Sequence, residues 1–408
     1  MNDRKRGVGA GTIIMLGVTA AVIVLFAVIA LPIAGQRRDP VEPGTLAAAS
    51  ARPTVTPQMA MALQPVNTPA PAQTARRAFT LTAGGTVSLS SDMVKAGKSD
   101  VGSYDFSGML SLLAGDLKAD ISLVTLENLA GEKPSSPVVP KAVMSMLREG
   151  GVNTLAIGFP DAWVKGTSVV QDTREAAAKA GMTPIGAFSD SSQAQPSQQI
   201  YLVNGVRVAL LHFTQGVSNN SSKALKKDGR TELFPLTSGA AASIRTAKAI
   251  GAEMVVVSVR WTGSNSSPTK EQKKLAQEMA DAGADVIIGT DSKRRALTAE
   301  WLVGNRDDGG QHRTLCCWSL GCLLSENQNN SGMLLHLSVE MDEAGYPHIT
   351  GANYTPTFTW VHSNRYQAIS ALRTAPDAMN STQQKKMDTM REKVEKVMNG
   401  SALGEKLQ

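Results

Sequence analysis

At 408 residues the chain is long enough for one large domain with accessory segments or for two average ones, and 42% hydrophobic residues are too many for a mostly disordered protein. The formal net charge of +6 belongs to the ends, because residues 78–363 carry 25 Lys and Arg against 27 Asp and Glu. A nucleic-acid-binding domain concentrates positive charge on its folded part, so no nucleic-acid partner is expected.

No residue from Gly7 to Gln36 is charged, and 12–34 is almost wholly apolar. About 20 apolar residues cross a bilayer as a helix, whereas a cleavable signal peptide has an apolar region of only about 7–15. Pro32 spoils the small-residue cleavage pattern before Gly35, and no cysteine is there to take a lipid. The segment reads as an uncleaved, single-pass signal anchor in the cell membrane. Residues 1–11, with Arg4, Lys5 and Arg6, form a short cytoplasmic stub, and the main domain lies outside the cell. Residues 35–77 form a stalk, with Pro40, Pro43, Pro53, Pro57, Pro65, Pro69 and Pro71 set among Ala, Thr and Gln.

The body, 78–362, alternates strands and helices. Strands are expected over Phe79–Leu89, Ile121–Leu126, Val152–Ile157 and Thr183–Ala187. Helices are expected over Pro140–Arg148, stopped by Gly150 and Gly151, and over Ser168–Ala180, closed by Gly181. Asn204-Gly205 marks a two-residue hairpin between Ile200–Val203 and Val206–Phe213. Helix Ala240–Ile250 leads to the continuous apolar strand Glu253–Val259, a pattern expected of a sheet covered on both faces. Helix Pro268–Ala282, with Ser267 available as its N-cap, leads to strand Asp285–Ile288. Strands Leu315–Leu320, Met333–Met341 and His348–Thr357 follow, the last with antiparallel, hairpin-like spacing. Residues 363–408 form a helical tail in which Met387, Met390, Val394 and Met398 share a face suited to packing.

Cys316, Cys317 and Cys322 lie in an apolar run with no fourth ligand nearby, so they read as small buried hydrophobes rather than as a thiolate metal site. His212, on an apolar strand, reads as a core histidine rather than a catalytic base.

Several segments in order resemble the CapA capsule-synthesis family, also called the poly-gamma-glutamate synthesis protein family, of the metallophosphoesterase-like superfamily. They are Leu81–Leu89, Thr125-Leu126-Glu127, Asn153–Asp172, Thr183–Ala194, Val259-Arg260-Trp261, Gln272–Thr290 and Trp318-Ser319-Leu320-Gly321. The Gln272–Gly289 block and Trp318–Gly321 are the specific ones. The resemblance implies a metallophosphatase-like α/β/β/α sandwich with mixed sheets, here preceded by one transmembrane helix. It also implies a role in making a bacterial surface polymer.

The family's metal chemistry does not carry over with the fold. Gly85 stands where the family has Asp, and Ile157, Gly158 and Phe159 replace Asn-Asn-His. Arg260 replaces the His before Trp, and Thr290, Asp291, Ser292 and Lys293 replace a His-His-Pro-His turn. Glu127 alone is retained. The expectation is a member with no catalytic residues, metal or cofactor that binds or scaffolds, with an anionic surface polymer or other capsule-synthesis subunits as partners. The alternative is an active metal-dependent phosphoesterase-like hydrolase or transferase with a relocated site. Arg260, Lys293, Arg294 and Arg295 form a candidate anion-binding cluster, with pairing of Arg260 to Glu127 or Asp291 as the competing reading.

Overall fold

The computed structural model describes residues 77–404 except 231–232, 264–265, 306–308 and 328–329. The chain enters through β1 (Ala78–Val87), β2 (Ile121–Leu126), β3 (Leu129–Gly131) and β4 (Val138–Pro140). The next strands are β5 (Thr154–Ala156), β6 (Thr183–Ile185), β7 (Ile200–Val203) and β8 (Val206–Thr214). Then come β9 (Met254–Trp261), β10 (Val286–Asp291), β11 (Ala296–Asn305) and β12 (Gln311–Leu320). The chain closes with β13 (Cys322–Leu324), β14 (Gly332–Met341), β15 (Pro347–His362) and β16 (Arg365–Ser370).

Two sheets result. The first runs β16-β15-β14-β1-β2-β5-β6, with β13 joined to β1; the second runs β11-β12-β10-β9-β8-β7. Both are mixed. In the first, β1, β2, β5 and β6 are parallel, while β14 to β16 pair antiparallel. In the second, β8, β9, β10 and β12 are parallel between antiparallel edges.

Side-chain alternation explains the layering. Leu123 of β2, Leu210 of β8, Val256 of β9 and Ile288 of β10 face inward and fill the space between the sheets. The alternate set Leu211, Val257 and Ile287 faces outward and packs on helices Ala240–Ala249 and Lys270–Asp281 through Ile244 and Met279. Val124 and Leu155 of the first sheet likewise meet helices Val143–Glu149 and Thr167–Lys179. Both faces of β9 are covered, which is why that strand is apolar throughout. This architecture fits the metallophosphatase-like sandwich.

The expected hairpin forms around Asn204-Gly205, with both residues at positive φ. Other boundaries differ for local reasons. Helix Lys270–Asp281 is capped by Thr269 in a reciprocal capping box with Gln272, so it starts after Pro268 and does not use Ser267. Pro140 ends β4, and the following helix begins at Val143. Strand β11 was not expected: Glu300 and Gly304 interrupt its apolar pattern, and Glu300 is there because its carboxylate accepts from Trp318 Nε1 at 2.7 Å. Helix Asn219–Lys227 also escaped the sequence reading, because it buries only Ser221 and Leu225. β16 lies within the segment read as a helical tail, yet it extends the first sheet by pairing with β15.

The tail helix itself, Ser381–Met398, packs as expected. Met387 and Met390 meet Phe358 and Trp360, while Val394 and Met398 join the core between the sheets. The expected stub (1–11), anchor (12–34) and stalk (35–77), apart from Arg77, lie outside the described residues. Among the described residues no helix is long and apolar enough to cross a membrane.

Packing is close around His212, which is 1% exposed. An ideal Cβ at Gly158 or Gly186 would lie 2.5 or 2.4 Å from its ring, and Gly186 also holds φ +78°. Gly186→Ala should therefore destabilise the domain by about 2–4 kcal/mol, from overpacking plus backbone strain. Urea unfolding followed by circular dichroism measures this, and an unchanged midpoint would contradict the packing argument.

Candidate functional site

The same alternation that fills the core carries polar residues to the carboxyl ends of the strands. Ser258 and Arg260 continue the inward-facing set of β9. Glu127 lies just past β2, in step with the inward-facing Ile121 and Leu123. Arg260 and Glu127 therefore face each other across the two sheets. Arg260 Nε donates to Glu127 Oε1, and both side chains are 7% exposed. Arg260 Nη1 donates to the Trp261 carbonyl. From the turn after β10, Arg294 Nη2 donates to Glu127 Oε2 at 2.7 Å and to Ser88 Oγ at 2.9 Å. Both carboxylate oxygens of Glu127 are thus taken by guanidiniums. Burial alone would raise the Glu127 carboxyl, but the two arginines outweigh it and hold it below its ordinary 4.5.

Asp291 ends β10 in register with Trp261 and points outward, so it joins neither arginine in an ion pair. Its Oδ1 accepts from the Lys293 backbone N–H at 2.6 Å, while buried Oδ2 has no partner. Burial raises its carboxyl above the ordinary value. Thr290, in register with Arg260, has a buried hydroxyl without a partner. Lys293 and Arg295 are exposed. Arg294 lies between these extremes, its side chain 30% exposed.

The remaining candidate positions are filled by the fold. Gly85 sits against Gly321, whose carbonyl oxygen would be 2.4 Å from any Cβ, so no ligating side chain fits there. The Thr86 N–H donates to that same carbonyl at 2.9 Å. Trp318–Gly321 is thus structural: Ser319 Oγ donates to the Arg295 carbonyl, and Gly321 turns at φ +69°. Phe159 is buried in the core outside the first sheet. His212 Nε2 donates to the Gly158 carbonyl at 2.7 Å, which leaves Nδ1 to accept from Ser258 Oγ at 2.9 Å. Burial, with a smaller contribution from Arg260, lowers His212 to about 4. Cys316, Cys317 and Cys322 are buried free thiols, and burial pushes Cys317 up to about 12.

The donor set does not fit a divalent cation. The Glu127 carboxylate is engaged on both oxygens, two guanidiniums face the strand ends, and Gly85 is closed in by backbone. Among the described residues no three His, Cys, Asp or Glu converge as ligands. Sequence reasoning missed Ser88 as the second acceptor of Arg294; no motif marks it.

The fold and site together define a metallophosphatase-like sandwich whose strand ends hold an ion triad. The model for "Bacterial capsule synthesis protein PGA_cap" matches residues 80–326, more than half of the chain. The chain belongs to this bacterial capsule-synthesis family. It is 30% identical over 149 residues to a Bacillus anthracis protein named "Capsule biosynthesis protein CapA", covering 35% of each chain. It is 32% identical over 132 residues to the Bacillus subtilis (strain 168) "PGA biosynthesis protein CapA", covering 30% of this chain and 32% of the other. These matches span about a third of each curated relative.

Glu127→Ala leaves the buried Arg260 without a counter-ion and should cost about 3–5 kcal/mol, whereas Arg260→Ala leaves Glu127 paired with Arg294 and should cost less. The Arg260→Met/Glu127→Leu pair should cost much less than the sum, and chemical denaturation of all three variants checks this. Acid should act in two stages. His212 is neutral when folded, so its contribution is lost as pH falls from 6.5 through about 4, a loss of about 3 kcal/mol. Glu127 has a depressed value, so its contribution is present above 4.5 and is lost below it. His212→Gln should flatten only the upper stage of a pH series of melting temperatures.

Proposed function

We propose that this protein supports synthesis of a capsule or poly-gamma-glutamate-type surface polymer from the outer face of the cell membrane. It does so by binding or scaffolding, without catalysing a reaction. The observation that carries this reading is the Glu127 triad, one carboxylate between two guanidiniums, where the family's fold would gather metal ligands. The triad retains one net positive charge. Arg294 opens from it into a small cavity lined by Ser88, Ser90 and Ser325, with Glu326 at its rim. Lys293 and Arg295 add exposed positive charge on the same turn. Hydroxyl donors beside a guanidinium suit a carboxylate or phosphate group. The charge-free run Gly7–Gln36 supports the single-pass anchor, with the basic stub inside the cell and the domain outside.

The test uses the full-length chain in detergent. After exposure to Mn²⁺ and Zn²⁺ it should retain no stoichiometric metal and hydrolyse no phosphodiester. It should bind poly-gamma-glutamate at low salt, and binding should weaken as salt screens the charges. The Lys293→Ala/Arg294→Ala pair should weaken binding more than Arg76→Ala in the stalk. Stoichiometric metal together with phosphodiesterase activity would replace this reading with the hydrolase alternative. Protease added to intact cells should remove most of the mass, and a secreted form beginning near Gly35 would contradict the anchor.

A further inference from the structure

At the other end of the sandwich, a cavity of about 760 Å³ opens beside Met254, where β9 begins, and beside the turn between β14 and β15. The Glu127 triad marks the carboxyl ends of these parallel strands, so the two sites are at opposite ends of β9.

The walls combine aromatic surface with charge. The Arg313 guanidinium lies 4.3 Å from the centre of the Trp301 ring, presenting a planar cation at the cavity. Tyr346 is 51% exposed on the hairpin turn. Each carboxylate in the wall is already engaged. Asp285 Oδ2 takes Lys248 Nζ at 2.9 Å, Asp342 Oδ2 pairs with His348 Nε2 at 2.8 Å, and Asp281 Oδ1 accepts the Asn305 N–H at 2.9 Å. Arg313, by contrast, is exposed and has no carboxylate partner among the described residues. His312 lines the same wall with neither ring nitrogen hydrogen-bonded.

These features restrict the ligand. The exposed Tyr346 ring calls for a ring to stack on it. Carboxylates keep lone pairs beyond those already engaged and accept well from hydroxyl groups. Arg313 calls for one carboxylate-sized anion. A polyphosphate would be repelled by Asp281, Asp285 and Asp342, and a glutamate polymer has no ring to stack. We propose that this cavity binds an acidic saccharide. Its carboxylate is taken by Arg313, which itself rests on Trp301, its ring lies against Tyr346, and its hydroxyls donate to the wall carboxylates. The site goes beyond the polymer-binding role proposed for the strand-end cations and does not depend on it.

The experiment titrates the full-length chain in detergent and follows tryptophan fluorescence and calorimetric heat. The probes are tetragalacturonate, a hyaluronan tetrasaccharide, neutral cellotetraose and tetraglutamate. At least one acidic sugar should bind saturably, with cellotetraose and tetraglutamate at least tenfold weaker. Arg313→Ala and Tyr346→Ala should each weaken binding at least tenfold at unchanged melting temperature, while Arg294→Ala should leave it unchanged. If Arg313→Ala fails to fold, Tyr346→Ala on the exposed turn carries the test. The proposal is overturned if neither acidic sugar binds, if cellotetraose or tetraglutamate binds as well, or if binding survives the substitution at Tyr346.

Discussion

Glu127 is a carboxylate that the first sheet cannot bury alone, and Arg260 is a cation that the second sheet cannot bury alone. Each would cost several kcal/mol if enclosed without the other. They are enclosed together because the sheets stack with β2 and β9 ending at the same level. Apolar side chains between the sheets supply most of the attraction, but such contacts tolerate sliding. The ion pair does not. A one-residue slip of β9 in its sheet would turn Arg260 toward the outer helices without a counter-ion and leave Glu127 with Arg294 alone. The pair therefore acts as a register lock, and Arg294 extends it to the loop after β10.

A lock of this kind sits awkwardly with metal chemistry at the same place. Divalent cations need several free oxygen or nitrogen ligands, whereas here the Glu127 carboxylate is spent on cohesion. The surrounding positions follow suit. Gly85 is wedged against Gly321, and Phe159 belongs to the core. These positions belong to the packed interior, and Lys293 and Arg295 carry exposed positive charge at its rim.

Much of this was legible in the residues. The candidate cations and the pairing of Arg260 with Glu127 were readable, but the continuous apolar runs Met254–Val259 and Ile121–Leu126 do not mark which face points inward. The short spacing at Asn204-Gly205 and the methionine stripe of the tail helix were equally explicit. Other parts were hidden for physical reasons. Strand β11 carries Glu300 because a distant indole requires it, and no local pattern encodes that need. The helix over Asn219–Lys227 is polar because it rests on two small contacts. The cavity around Trp301, Arg313 and Tyr346 gathers residues from separate strands and a turn, with no motif spacing to announce it. Arg294 was readable as a cation, but its partner Ser88 was not.

The topology of β1 bears on how the chain reaches this state. It is the first strand of the body to be synthesised, and it pairs with β2 on one edge and with β14 on the other. β13 reaches it from the same late part of the sequence. Until β14 emerges, the central strand of the first sheet has one edge bare and its inward face, Phe79, Leu81 and Ala83, only partly covered. The tail helix closes later still, with Val394 and Met398 completing the layer between the sheets. Contacts this distant in sequence make assembly slow and leave nascent intermediates prone to aggregation. A chain cut before β14 would therefore lose more than the missing residues, because the earliest strand would have no finished sheet to join.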